Sequence, residues 1–324
     1  MVKVLFFGTP QIAVPFLEWL HAHETVLSVV CRPDEPAGRG YQIKPPPTKV
    51  FALDHNIPVF QPESFNPDGP TAILMERALK DVGADVGIVV AFGRILPKSI
   101  YMAPRLGCVN IHFSLLPKFR GAAPMQRSLM SGETQTGVSA FWLDDGMDAG
   151  PLFQQASLAI DPADDTVSLR TKLISLGVDV LGGVMKKISA GDLVRQPQEG
   201  PVSLAPPLKK EEGVIDWKKP AASIANLIRG VVEWPGAQTS CHAKNQPVKK
   251  IKIIKARAEC SVKGTNVPGT ILEVRKSEGL LVQAGDGAVL LMDVQPEGKK
   301  PMPALAFWQG AHLDIGTVLG THPS

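Results

Sequence analysis

The chain has 324 residues, of which 44% are apolar and 20% charged, with 34 Lys+Arg against 31 Asp+Glu for a net charge of +3. This length suits two domains of about 150 residues each, and the composition excludes a disordered, fibrous or strongly polyionic chain. "MVKVLFFGTP" is broken at Gly8 and Pro10, too early for a signal peptide, and no apolar run reaches the roughly 20 residues of a membrane span, so a cytoplasmic protein with no membrane partner is expected.

The first half alternates strand-like and helix-like patterns. Strands are predicted at residues 2–8, 25–30, 57–60, 85–91, 108–112 and 137–143, which are rich in β-branched and aromatic side chains. Helical spacing occupies 11–23, 48–56, 70–83 ending at Gly83, and 164–188 with Asp164 or Asp165 as N-cap. Such alternation predicts an α/β fold with a mainly parallel, doubly wound sheet. No GxGxxG or Walker-type loop follows the first strand, so neither a dinucleotide nor an ATP cradle is indicated.

Residues 195–213 are dense in proline and polar side chains, which suits an extended linker. After a helical stretch at 220–231, short β-like runs at 248–256, 269–275, 279–285 and 288–294 alternate with Gly, Asn and Asp turns. This pattern predicts a small β-barrel. Residues 209–324 carry 16 Lys+Arg against 11 Asp+Glu, whereas the first 208 carry 18 against 20. A basic second half beside a mildly acidic first half points to a polyanionic partner for the second half, or to a solvated basic face. Cys31, Cys108, Cys241 and Cys260 form no CxxC pair, so neither a metal site nor a disulfide framework is expected.

Chemistry concentrates in two places. Asn110 and His112 end an apolar run, and as i and i+2 of a strand they project to one face at its carboxyl end, where ligands of such sheets collect. "LDDGMDAG", residues 143–150, places three acids and two glycines directly after the next strand. The distal glutamate of a calcium loop is missing, leaving a surface turn or a catalytic carboxylate. An amide, an imidazole and a carboxylate brought together would polarise a carbonyl, hold an oxyanion and accept a proton. No GxSxG elbow supplies a nucleophile, although the strand parity of Cys108 leaves that thiol open. Leu115 and Leu116 read on their own as core, and Trp142, Trp217 and Trp234 as packing anchors.

The run "NIHFSLLPKFRGAAPMQRS" with "DDGMDAG" closely resembles the folate-dependent formyltransferases, and within them the branch that acts on methionyl-tRNA. The resemblance spans nearly the whole chain through "FGTPQIA", "RPDEPAGRG", "IPVFQP", "VVAFGRILP", "PGTILEV" and "VQPEGKKPM". It implies a Rossmann-like formyltransferase domain over 1–194, a linker over 195–210 and a C-terminal, OB-like β-barrel over 211–324 that binds tRNA. It implies Asn110, His112 and Asp148 as catalytic residues, with Asp144 opening the acidic loop motif. The implied reaction moves formyl from 10-formyltetrahydrofolate to the α-amino group of methionine on initiator tRNA, giving N-formylmethionyl-tRNA for translation initiation, without a metal.

In that scheme a protonated His112 joins Asn110 in holding the oxyanion while Asp148 orients the ring. Folate contacts are implied for Ser114, Leu115, Leu116, Pro117, Phe92, Asp145 and Gly146. The implied tRNA contacts are Arg39 and Lys44 in the long loop 31–49 and Lys249, Lys250 and Lys252 in the second half, where alternation puts Lys250 and Lys252 on one solvent face. No obligate protein partner is expected, and a monomer is. The rival readings are a formyltetrahydrofolate hydrolase-type or amino-sugar formyltransferase of the same superfamily, toward which "FWLDDGMDAG" and "IRGVVEWPGAQT" lean, and a non-catalytic RNA-binding protein.

Overall fold

A computed structural model describes residues 1–37, 42–65, 77–241, 249–262 and 266–320. The chain forms two compact units: Met1–Pro124 with Gln135–Ala159 and Thr171–Pro206, and Met125–Thr134 with Ile160–Arg170 and Pro207–Ser324.

Among the described residues, nine strands belong to the first unit: β1 (Lys3–Gly8), β2 (Thr25–Val30), β3 (Glu35–Ala37), β4 (Gln42–Lys44), β5 (Val59–Phe60), β6 (Val86–Val90), β7 (Cys108–His112), β8 (Gln135–Trp142) and β9 (Leu152–Ala159). Seven make one sheet in the order β5-β2-β1-β6-β7-β8-β9, and β3 pairs with β4 in a separate hairpin. The five strands from β5 to β7 are parallel, while β8 and β9 are antiparallel to their neighbours. Strand order reverses between β1 and β6, so the chain leaves a crevice at the carboxyl ends of the central strands. β1 and β6 are apolar and buried along almost their whole length, as strands covered on both faces must be.

Several elements differ from the sequence expectation. β9 is a strand where none is predicted: in its sequence LFQQASLA only Phe153 is buried and the remaining positions alternate half-buried and exposed at the sheet edge, while its glutamines break the apolar signal. The loop 31–49 contains the three-residue strands β3 and β4, too short to create a period. Of the helix expected at 70–83, residues 77–81 are helical and the earlier part lies outside the described residues. β6 and β7 approach closely because Gly87 faces Cys108, where a Cβ would overlap Cys108 Sγ. That thiol is fully buried and burial raises its pKa strongly, so it stays protonated and out of nucleophilic chemistry.

Residues 195–206 are extended, as the composition suggests, but bound to the first unit. Leu152 and Gln196 exchange backbone hydrogen bonds at 2.6 and 2.9 Å, and Ala205 N–H donates to Arg120 O at 2.7 Å. Phe119 N–H donates to Ser203 Oγ at 2.9 Å. The segment thus acts as a strap along residues 117–123.

The second unit holds β10 (Ala237–Cys241), β11 (Lys249–Glu259), β12 (Ile271–Arg275), β13 (Gly279–Gln283), β14 (Ala288–Pro296) and β15 (Met302–Pro303). They form a six-stranded antiparallel, barrel-like sheet in the order β10-β11-β14-β13-β12, with β15 on β14. Its core gathers Trp217, Ile224, Ile228, Ile251, Ile253, Val289 and Phe307. The helix Ala221–Gly230 starts where Asp286 Oδ1 accepts the Ala221 N–H at 2.8 Å. The long helix Thr166–Ser189 takes Asp165 as its cap, with Oδ1 accepting from Val167 N and Ser168 N at 2.9 Å each. Trp142 and Trp217 are buried anchors as expected, whereas Trp234 is 54% exposed.

Candidate active site

The register of β7 places Asn110 opposite Val89 of β6 on one side and Phe141 of β8 on the other. His112 follows on the same strand face and is 6% exposed. Beyond it the chain turns through Phe119, and beyond β8 the acidic loop returns Asp148 to the same place. His112 Nδ1 lies 3.6 Å from Asp148 Oδ2, which also accepts the Gly121 N–H at 2.7 Å. His112 Nε2 lies 2.9 Å from Phe119 O. A carbonyl only accepts, so Nε2 carries the hydrogen and the lone pair of a neutral ring sits on Nδ1, facing the carboxylate.

Burial is the largest influence on the His112 pKa and lowers it, opposed by Asp148 and the Phe119 carbonyl. Burial thus works against the imidazolium that the resemblance places on the oxyanion. A proton arriving at Nδ1 meets the Asp148 carboxylate at once, so the pair is arranged to accept one. Asp148 Oδ2 is engaged, and Oδ1 makes no hydrogen bond among the described residues. The Asn110 amide is likewise without a hydrogen bond among the described residues, at a half-buried position on the wall of a cavity.

That cavity measures about 430 Å³. Its walls come from Val89 and 91–96 after β6, from 110–113 of β7 and its end, from Gly121, Ala122 and Pro124, and from Leu143, Asp144, Gly146, Met147 and Asp148 of the acidic loop. It is mostly apolar with a few convergent polar groups, and its size falls in the range of small-molecule sites. A flat, partly polar heterocycle fits such a wall chemistry. Ile95 and Met147, both strongly exposed, flank it.

Three residues around the site have left-handed backbones without being glycine: Ala91 (φ 45°), Phe119 (φ 61°) and Asp148 (φ 49°). Each such residue costs about 1–3 kcal/mol, and persists where the surroundings over-determine it. The acidic loop is held in this shape by several contacts. Gly146 N–H donates to Asp144 Oδ1 at 2.9 Å, Tyr101 OH donates to Asp145 Oδ1 at 2.7 Å, and Trp142 N–H donates to Pro151 O at 2.9 Å. Burial, with the Asp145 acceptor beside it, pushes the Tyr101 phenol up to about 12, so it remains a donor.

Of the expected folate residues, Phe92 and Gly146 line the cavity. Asp145 lies outside the lining, exposed and bound to Tyr101. Ser114, Leu115, Leu116 and Pro117 follow the lining residues His112 and Phe113 but are not lining residues themselves. They are braced by Ser139, whose Oγ donates to Ser114 O at 2.6 Å and accepts from Leu116 N at 3.0 Å, and by Gln155 Nε2, which donates to Leu116 O at 2.9 Å.

Arg39 lies outside the described residues, as does the Lys249 side chain; Lys44 is exposed on β4. Lys250 and Lys252 share an exposed face of β11, with Ile251 and Ile253 buried beneath, and neither lysine has an ion pair among the described residues. A residue that the sequence did not point out is Gln198, in the strap. Its Nε2 donates to Asp148 O and Gly150 O at 2.8 Å each. Among the described residues no group of three or more His, Cys, Asp or Glu side chains is placed to hold a metal ion, and no helix is long and apolar enough to cross a membrane.

Residues 2–185 match the formyl transferase family and residues 207–312 its C-terminal domain. The methionyl-tRNA formyltransferase of Geobacter metallireducens is 39% identical over 98% of this chain and 99% of its own, and that of Pelobacter propionicus 40% identical over 98% and 96%. Among solved structures, an N-formyltransferase from Helicobacter canadensis, in complex with folinic acid and dTDP-3-aminofucose, superposes with a TM-score of 0.66 at 19% identity over 90% of this chain and 99% of that one. HypX from Aquifex aeolicus, in complex with tetrahydrofolic acid, gives a TM-score of 0.62 at 16% identity over 97% of this chain and 48% of that one. At such identities these two establish the shared fold. The fold and the two matched domains define a formyltransferase. Through its full-length relatives, the chain belongs to the methionyl-tRNA formyltransferase family.

Proposed function

We infer that the protein transfers the formyl group of 10-formyltetrahydrofolate to the α-amino group of methionyl-tRNA, with Asn110, His112 and Asp148 as its catalytic residues. The observation that carries this reading is the open Asn110 amide beside His112, whose Nδ1 faces Asp148 at 3.6 Å, all on one cavity. The folate supplies an electrophilic formyl carbon. Bond formation from the amine nitrogen to that carbon puts charge on the formyl oxygen and a surplus proton on the nitrogen. The Asn110 N–H donates to the oxygen as its charge grows. Asp148 Oδ1 and the His112 lone pair take the proton, which leaves on the folate nitrogen when the old carbon–nitrogen bond breaks. Apolar walls keep water from competing with the amine.

Phe92 and Gly146 contact the pterin in this reading. Ser114–Pro117 and Asp145 support the site from behind, the former through Ser139 and the latter through Tyr101. Lys250 and Lys252, with Lys249, Lys44 and Arg39, engage the tRNA backbone. The relatives' shared reaction, at about 40% identity over nearly the whole chain, favours this reading over hydrolysis or sugar formylation.

The test supplies 10-formyltetrahydrofolate with Met-tRNA, a nucleotide-linked amino sugar, or water alone as acceptor. Rapid formylation of Met-tRNA only is expected. Asn110→Ala should lower turnover about 100- to 1,000-fold, the usual effect of removing one oxyanion donor. Near-full turnover in both Asn110→Ala and His112→Ala would remove the assignment.

A further inference from the structure

We propose that Gln198 is a positioning residue for the Asp148–His112 pair, acting from the strap rather than from the sheet or the acidic loop; this rests on the role proposed above for that pair. Every hydrogen-bonding position of its side-chain amide is used. The two N–H groups donate to Asp148 O and Gly150 O at 2.8 Å each. The oxygen accepts from Arg120 Nε at 3.1 Å and Arg120 Nη2 at 2.7 Å. Arg120 immediately precedes Gly121, whose N–H holds Asp148 Oδ2 at 2.7 Å. One amide therefore ties together both sides of the contact that aims the Asp148 carboxylate.

The need for such a clamp follows from the backbone. Asp148 sits at φ 49°, a conformation its side chain disfavours, and Gly150 follows in a turn where a Cβ would overlap Trp142 O. The carbonyls of the strained turn need donors to stay in place, and the Gln198 side-chain amide, uncharged, gives them two hydrogens while accepting two from a guanidinium. Loss of the clamp lets the loop relax and carries the carboxylate off its line to Nδ1, and a displacement of about 1 Å at a reacting group can cost about 100-fold in rate.

The substitutions Gln198→Ala and Gln198→Glu separate positioning from general support, with Gln196→Ala as a control, because Gln196 uses only its backbone. Turnover and KM for both substrates, thermal stability, and the NMR titration of the His112 ring, assigned with His112→Gln, would be measured on the full chain. Gln198→Ala is expected to lower kcat about 10- to 100-fold, with KM values within about 2-fold of the parent. The His112 ring should titrate at lower pH as it loses its carboxylate. Gln198→Glu keeps the attraction to Arg120 but sets a carboxylate against two carbonyl oxygens, so it should be no better than alanine.

Full turnover in Gln198→Glu overturns the proposal, since holding Arg120 alone would then suffice. A His112 titration unchanged in Gln198→Ala overturns it too, whatever the turnover. Failure of the underlying assignment reads differently: Asp148→Asn would itself keep parental turnover.

Discussion

At His112 three influences compete over one proton. Burial acts against the imidazolium more strongly than Asp148 and the Phe119 carbonyl act for it, so the folded ring titrates below its usual value of about 6.5. As pH falls, the unfolded chain takes the proton first. The stability contributed by the neutral buried ring is thus complete above about pH 6.5 and declines below it, down to the lowered folded value. Urea midpoints of the parent should drop between about pH 7.5 and about pH 5.5 by more than those of His112→Gln. Asp148→Asn should move the acid limb of kcat/KM to lower pH, because the ring loses its nearest negative charge, while turnover falls. Strand parity alone put Asn110 and His112 side by side. The family resemblance picked Asp148 from among three acids of one loop. Nothing in the residue pattern could mark Gln198, whose partners lie 48 to 78 positions away.

Among elements, the junction of β6 with β7 sets the floor of the cavity. It depends on Gly87 leaving room for Cys108 Sγ. Gly87→Ala should destabilise the protein by about 1–3 kcal/mol, as overpacking of a closed core does. The double variant Gly87→Ala with Cys108→Ala should recover part of that loss in chemical denaturation. Independent, additive effects would show that the two strands are not held apart by this contact. Apolar runs announced β1, β6 and β7 because both their faces are covered. β9 stayed hidden for the opposite reason: an edge strand with one wet face carries glutamines, and half of its positions say nothing about burial. The hairpin of β3 and β4 is three residues deep on each side, below the length at which alternation becomes a signal.

For the molecule as a whole, charge is divided unevenly along the chain, and the surplus of cations lies in residues 209–324. Lys250 and Lys252 stand on the exposed face of β11. Binding of tRNA should weaken steeply with salt, and Lys252→Ala should make the slope of log K against log salt shallower by about 1 if that side chain meets a phosphate. An unchanged slope would remove Lys252 from the interface. The two-part organisation was legible from composition, since proline-rich residues separate α/β alternation from short β runs. The behaviour of the separating residues was not, because their hydrogen bonds go to a loop some 80 positions earlier. That return has a temporal meaning. A ribosome makes all seven strands of the mixed sheet before it makes Ser203 and Ala205, so a nascent chain can acquire its hydrophobic centre while residues 117–123 still lack their later partners. Catalytic competence must therefore emerge after the sheet is complete, and a ribosome-bound chain that has exposed only residues 1–194 should be folded but inert.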